Sequence, residues 1–414
     1  MILARPSHLV SESAITLRAD GDSDDRTEEA VTTYAAGRPM LDADSHLMEL
    51  PGFLDAFMDE SLVDRLRGRS MEHVAALLDR AQTIAEQRRS DALVRAEAEG
   101  RLLRDKGWNA MGAFDSAERS HVLDLFGFDG QLVFATFAAA MFMGKDEDLL
   151  YAGSRAHNWA VADFCRVDPR LLPVGFVPLV DPDRAVATLT DALDAGCAAI
   201  HVPSTAAGER APTHPDLDVF WSALEESGRP FVLHVGGGGR LLDRAFHNNG
   251  RPVTDHLGGG ENVRSKDYLC INHSPSLFLG TLILDGLFDA HPNLRGGVIE
   301  EGAVWVVSWM HQLDFAQRAF RRTEPPLAEL EMKPSEYVHR HLKFTPFPGE
   351  PVGWMIEQAG ADLFMFSTDY PHPEGGRDPL AKFEATMSDT GEDAKHRFYW
   401  ANMAELMGNT LVPA

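Results

Sequence analysis

Two periodicities alternate along this chain. Short apolar runs rich in Val, Leu, Ile and Phe, bounded by Gly or Pro, take turns with longer stretches of helical period. The short runs predict strands at about 39–44, 131–136, 172–179, 197–202, 230–234, 294–300, 341–345 and 363–368. Helices are expected between them. The clearest covers 182–195, with Asp181 and Pro182 at its start and Gly196 at its end. Strands alternating with helices imply a parallel sheet with right-handed crossovers. Eight such strands predict a (β/α)8 TIM barrel. An open doubly wound sheet would want Gly-x-Gly-x-x-Gly after the first strand, and none is there. Residues 51–108 are helical in pattern, charge-rich and without strands, and are expected as a helical insertion after strand 1. Residues 1–37, which include an acidic polar run at 20–29, read as a disordered leader to a single barrel domain over 38–414.

Composition narrows the function. The 414 residues are 44% hydrophobic, enough for a large core. A net charge of -25 argues against nucleic acid and against anionic membrane surfaces as partners. No apolar run approaches the roughly 18 to 20 residues of a membrane span. The N-terminus lacks the basic-then-apolar order of a signal peptide. Cys165, Cys197 and Cys270 are odd in number and far apart, so no disulfide framework is implied and a cytoplasmic location is the expectation.

The chemistry-bearing residues gather at strand ends. Asp44 and His46 are two apart in the first strand and share a face if it is extended. His201 ends the fourth strand, His234 the fifth, Glu300 the sixth and Asp369 the eighth. In a barrel the C-terminal ends of all strands meet on one face. Imidazoles with carboxylates and no clustered Cys suit a catalytic Zn, Mn or Fe site with an open position. Each residue also has a structural reading. His201 and His372 fit a satisfied core or turn histidine, Glu300 or Glu301 a helix N-terminal charge, and Asp369 a cap. His273 falls in a long Gly- and Asn-rich segment over about 240–275, where a role in the site is open.

Several stretches carry a family resemblance. They are Asp42-Ala-Asp-Ser-His-Leu-Met-Glu49, Gly112 to Arg119, Trp221 to His234, Phe288 to Arg295 with Glu300-Glu-Gly302 and Trp305, and Phe366-Ser-Thr-Asp-Tyr-Pro-His-Pro-Glu374. Over about 39–408 the chain resembles the amidohydrolase superfamily. The likeness is to its metal-dependent decarboxylases related to aminocarboxymuconate semialdehyde decarboxylase and resorcylate decarboxylase. The resemblance implies one divalent metal, Zn or Mn, held by Asp44, His46, His234 and Asp369. Asp369, Glu300 and His273 are the candidate catalytic residues, and His201, His372 and Trp305 the candidate substrate contacts. The expected reaction is non-oxidative decarboxylation of an aromatic or unsaturated carboxylic acid. A hydrolase acting on an amide, lactone or C–C bond through a metal-activated water would use the same ligands. A non-catalytic barrel is the third reading. A small-molecule carboxylic acid or carbonyl compound is the expected partner, and a homo-oligomer, a dimer by resemblance, is expected. The chain departs from the pattern in two places. Position 44 is His or Glu in many relatives, and strand 6 carries Glu300 where many decarboxylases of this branch have His. Strand 4 has no Lys, which argues for one metal rather than a bridged pair.

Overall fold

A computed structural model describes residues 33–66, 75–144, 146–237, 242–251 and 264–411. Seven strands form one curled, wholly parallel sheet in sequential order. They are β1 (Leu41–Leu47), β2 (Gly130–Ala135), β3 (Leu171–Phe176), β4 (Ala199–His201), β5 (Phe231–His234), β6 (Gly296–Ile299) and β7 (Leu342–Phe344). The architecture is α/β and TIM-barrel-like. The expected eighth strand is not a regular one. Residues 363–370 lie along both edges of the sheet with isolated pairings only, Phe344 with Phe364 and Ser45 with Tyr370. On one side Met365 N–H donates to Phe344 O at 2.8 Å; on the other Ala43 N–H donates to Phe366 O at 3.1 Å and His46 N–H to Tyr370 O at 2.7 Å. Two irregularities explain the broken ladder: a register shift in β1 between Asp42 and Ser45, and a left-handed backbone at Asp369 with φ 52°.

Alternation along the strands sorts the core. Leu41, Ala43, Leu132, Leu172, Val174, Ala199, Val232, Ile299 and Met365 form one buried cluster, closed from one end by Met403, Leu406 and Met407. Their neighbours in sequence, such as Val133, Leu171, Ile200, Phe231, Leu233 and Val298, join the larger cluster with residues of the surrounding helices. Strands buried on both faces are expected wherever helices cover a parallel sheet. Both stretches expected to be least regular lie partly outside the described residues. Residues 1–32 of the expected leader are among these, but Tyr34 and Ala35 already donate backbone hydrogen bonds to Leu125 O and Phe126 O. The packed chain therefore starts a few residues before the expected boundary at 37.

The chain between β1 and β2 is helical, with α1 (Glu60–Leu66), α2 (Ala75–Ser90), α3 (Ala92–Glu99) and α4 (Ser116–Phe126). It is tied to the strand-end face through Trp108 Nε1–H to Glu49 O at 3.1 Å and Gly107 N–H to Pro371 O at 2.9 Å. Arg119, on α4, is fully buried. Its guanidinium donates to Gly112 O at 2.9 Å, to Gln131 Oε1 at 3.3 Å and to His46 O. Gly112 has φ 69°, and a Cβ there would lie 2.6 Å from Arg119 backbone atoms, so this close approach requires glycine. Replacing Arg119 with Met removes a buried cation and strands three acceptors. We expect Arg119→Met to destabilise the fold by about 3–5 kcal/mol in urea unfolding; a loss under about 1 kcal/mol would mean the guanidinium is not holding β1 to the 112 turn.

Of the described helices, none is long and apolar enough to cross a membrane. Cys165, Cys197 and Cys270 are unpaired.

Candidate metal centre

The site is built at the C-terminal ends of the strands. In β1, alternation from Ala43 would turn Ser45 inward. The register shift between Asp42 and Ser45 interrupts that alternation, and Asp44 and His46 both turn toward the strand-end centre. His46 Nε2 lies 3.3 Å from Asp44 Oδ1. His234 keeps the inward parity of Val232. Its Nδ1 is 3.0 Å from Val235 O, an acceptor, which assigns the hydrogen to Nδ1 and presents Nε2 to Asp44 Oδ1 at 3.6 Å and Glu300 Oε2 at 3.4 Å.

Glu300 follows the last residue of β6. Strict alternation would send it outward with Val298, but its backbone is left-handed, φ 55°. Thr345 Oγ1 accepts the Glu300 N–H at 2.9 Å and stabilises that turn. Asp369, also left-handed, donates its N–H to Asp44 O at 2.9 Å. Non-glycine residues in this region cost of order 1–2 kcal/mol each. Here the cost brings two carboxylates onto one point: Glu300 Oε2 is 4.0 Å and Asp369 Oδ1 3.6 Å from His46 Nε2.

Behind them Asp42 holds the last segment in place. It accepts from Thr368 N–H at 2.8 Å, Thr368 Oγ1–H at 2.6 Å and Gln131 Nε2–H at 2.7 Å. His372 stacks on His46 with ring centroids 3.9 Å apart, and its Nδ1 is 3.0 Å from Asp369 Oδ1. Thr136 Oγ1 donates to Leu47 O at 2.8 Å, so at 3.0 Å from His372 Nε2 it is the acceptor. His372 therefore carries its hydrogen on Nε2 and turns Nδ1 to Asp369.

Two overlapping donor sets result, Asp44–His46–His234–Glu300 and His46–Glu300–Asp369–His372, each with ligand atoms within 4.8 Å of one another. Asp44 Oδ1, His46 Nε2 and both Asp369 carboxylate oxygens are buried and make no hydrogen bond within the protein. Buried charge in this state is costly unless it is paired or bound to metal. A divalent cation answers that need, and nitrogen with carboxylate oxygen suits Zn, Mn or Fe. The charges confirm the crowding. Burial, with Asp44 and Glu374 beside it, pushes the Asp369 carboxyl well above the usual range. Burial alone would do the same to Asp44, but His46 and His234, 3.3 and 3.6 Å from its Oδ1, outweigh it and hold that carboxyl down. Burial and His372 push His46 well below an ordinary histidine.

The expected residues do not all assemble. Asp44, His46, His234, Glu300, Asp369 and His372 converge; Glu300, expected as catalytic only, belongs to both donor sets. His201 lies next to His234, ring centroids 6.0 Å apart. His273 does not join the cluster: it is exposed, and it opens the helix His273–Leu284 rather than sitting in a loop. Trp305 packs on Trp309 and Phe344 and donates Nε1–H to Gly302 O at 2.9 Å, a structural role. Sequence reading passed over Lys106 and His157. Lys106 Nζ is buried without a hydrogen bond; burial lowers its pKa to about 8 against the attraction of Asp369 and Glu374. Nothing in its charge-rich surroundings marks it, because its approach to Asp369 is set by the Gly107–Pro371 contact.

A cavity of about 120 Å³ adjoins His234 and His201. The start of α5 (Ala138–Phe142) forms one wall, and Glu49 accepts the N–H groups of Phe137 and Ala138 there at 2.8 and 2.7 Å.

Comparison with solved structures gives the same architecture. An amidohydrolase from Mycobacterium avium subsp. paratuberculosis K-10 is 18% identical with a TM-score of 0.67, over 90% of this chain and 98% of its own. The 5-carboxyvanillate decarboxylase of Novosphingobium aromaticivorans DSM 12444, solved with bound manganese, is 17% identical with a TM-score of 0.60, over 91% and 99%. The 2,6-dihydroxybenzoate decarboxylase from Rhizobium is 18% identical with a TM-score of 0.56, over 89% and 98%. At these identities the likeness speaks for the fold. No curated protein matches the chain. The Amidohydrolase family model does, across residues 41–408, and this protein therefore belongs to the amidohydrolase family.

Proposed function

We propose that this protein is a metal-dependent decarboxylase that removes CO2, without oxidation, from an aromatic or unsaturated carboxylic acid. The observation that carries this reading is the convergence of Asp44, His46, His234, Glu300 and Asp369 in two overlapping buried donor sets, where Asp44 Oδ1 and both Asp369 carboxylate oxygens have no hydrogen bond in the protein. Decarboxylases of aromatic acids among the solved structures of the same fold lend it support.

Asp44, His46, His234 and Glu300 would hold the cation, with Asp369 at its side. When bound, a divalent cation supplies positive charge that orients a substrate carboxylate and stabilises developing negative charge. The remaining work falls to side chains. Asp369, whose carboxyl burial and the neighbouring Asp44 and Glu374 raise well above the usual carboxylate range, would deliver a proton to the carbon that bears the carboxylate. That carbon gains a C–H bond, its C–C bond to the carboxylate breaks, and CO2 leaves. Asp369 is left ionised, 3.0 Å from His372 Nδ1, and takes up a proton from solvent before the next turnover. Lys106, buried within reach of the charges of Asp369 and Glu374, adds a cation to this side of the site.

The test is elemental analysis of protein purified without chelator, paired with a screen for CO2 release from aromatic and dienoic acids and for hydrolysis of amides and lactones. We expect about one Mn or Zn per chain and CO2 release that follows metal content. Hydrolysis without CO2 release would transfer the same site to the hydrolase reading. Failure of the protein to take up metal on reconstitution would remove both.

A further inference from the structure

We propose that the cavity beside His234 is the subsite for the uncharged end of the substrate, and that His201 reads a neutral oxygen substituent there. The inference rests on the reading above only in placing the substrate's carboxylate at the metal centre. The cavity's own chemistry is independent of the reaction.

The walls decide what can enter. Phe134, Val174, Ala139 and Met143 make them apolar, and among the described residues no Asp, Glu, Lys or Arg lines the space. Its ionisable groups are histidines. Burial holds His157 at about 4, so it is neutral at pH 7. A second carboxylate placed here would lose its hydration and, among the described lining residues, meet no Lys or Arg. Size matters too. An apolar cavity of about 150 Å³ takes benzene, so 120 Å³ admits one compact ring or a short branch.

His201 is the polar group with capacity to spare. Its ring is held edge-on to Phe176 at 5.2 Å and near Phe134 at 6.4 Å. Its Nε2 is buried and makes no hydrogen bond. A Cβ at Gly237 would stand 2.4 Å from that nitrogen, so only glycine leaves it room. His157 differs, because its Nδ1 is spent on Asn158 Oδ1 at 3.0 Å. Leaving a buried nitrogen unsatisfied is unfavourable. A hydroxyl or carbonyl oxygen on the ligand would satisfy it, and an unsubstituted ring would not.

The experiment measures binding by fluorine NMR, with 4-fluorophenol, fluorobenzene and 4-fluorobenzoate as probes. It uses the wild type and the folded variants His201→Phe, Ala139→Trp, Met143→Trp and His46→Gln. We expect 4-fluorophenol to bind wild type about tenfold more tightly than fluorobenzene. His201→Phe should abolish that preference, and either tryptophan should abolish binding of both. His46→Gln should leave 4-fluorophenol binding within about twofold and should weaken 4-fluorobenzoate. That variant separates the two claims: benzoate binding left unchanged by His46→Gln would count against the metal centre, whereas the cavity is judged on the neutral probes. The proposal is overturned if 4-fluorophenol fails to bind at up to about 10 mM. It is also overturned if its preference survives His201→Phe, or if both tryptophan variants bind it normally.

Discussion

Asp369→Asn is expected to lower turnover by about 10³-fold or more while leaving the protein folded. The fold should survive because asparagine has the same shape and tolerates the left-handed region as aspartate does, so φ 52° is no new strain. The backbone bond from residue 369 N–H to Asp44 O at 2.9 Å does not involve the side chain. Chemistry is what changes. The amide cannot carry a transferable proton to the substrate, and it offers a poorer ligand beside His46 Nε2, now 3.6 Å from the carboxylate. Three measurements separate these roles: CO2 release in a single turnover, metal per chain, and thermal unfolding. Metal retained with turnover lost would assign Asp369 to proton transfer. Metal lost as well would make it a ligand. A near-normal rate would remove Asp369 from the mechanism. Glu300→Gln is the natural companion, since Glu300 belongs to both donor sets and its loss should lower metal content first.

The contribution of His157 to stability should be lost in mild acid, against the opposite contribution of Asp42, whose carboxyl burial raises to about 7. His157 is buried, and burial lowers its pKa from 6.5 to about 4. Between those values the unfolded chain binds a proton that the folded chain does not, so stability falls as pH falls. The contribution is fully present above pH 6.5 and is lost toward pH 4. A difference of about 2.5 units corresponds to about 3 kcal/mol, of which about 2 is gone by pH 5. His201, held down by burial and by His234, acts in the same direction. Urea unfolding at pH 7 and pH 5 would read this, and His157→Gln should flatten the slope by about 2 kcal/mol between them. An unchanged slope would show that other groups carry the acid limb. Asp168, which Arg170 and Ser120 hold at about 2 against burial, belongs to a separate limb: its contribution is present above pH 3.8 and lost only below it.

The residues that sequence reading found, and those it missed, differ in kind. Asp44, His46, His234 and Asp369 each end an apolar run, and an ionisable group there is visible without a structure. Glu300 was visible as well, but its part was not. Alternation would have sent it outward, and only the left-handed turn braced by Thr345 makes it a member of both donor sets. Lys106 and His157 left no local signal. One reaches the site through the contact of Gly107 with Pro371, and the other lines the cavity from a helix, α6 (Glu147–Cys165), that reads as ordinary amphipathic surface. His273 and Trp305 show the opposite error, since chemistry-bearing side chains near a motif need not face the site.

Local chain chemistry settled the succession of strands and helices, because a period of two or of 3.6 is a property of neighbouring residues. It also settled which strand ends carry ionisable groups, and so where the candidate site lies. Tertiary structure decided the rest. The shift in β1 and the left-handed turns at Glu300 and Asp369 are stable only because residues distant in sequence pay for them: Thr345, Asp42 and Thr368 supply the hydrogen bonds. The neutral cavity likewise exists only between elements, where β2, β3, α5 and α6 leave a space that no single segment encodes.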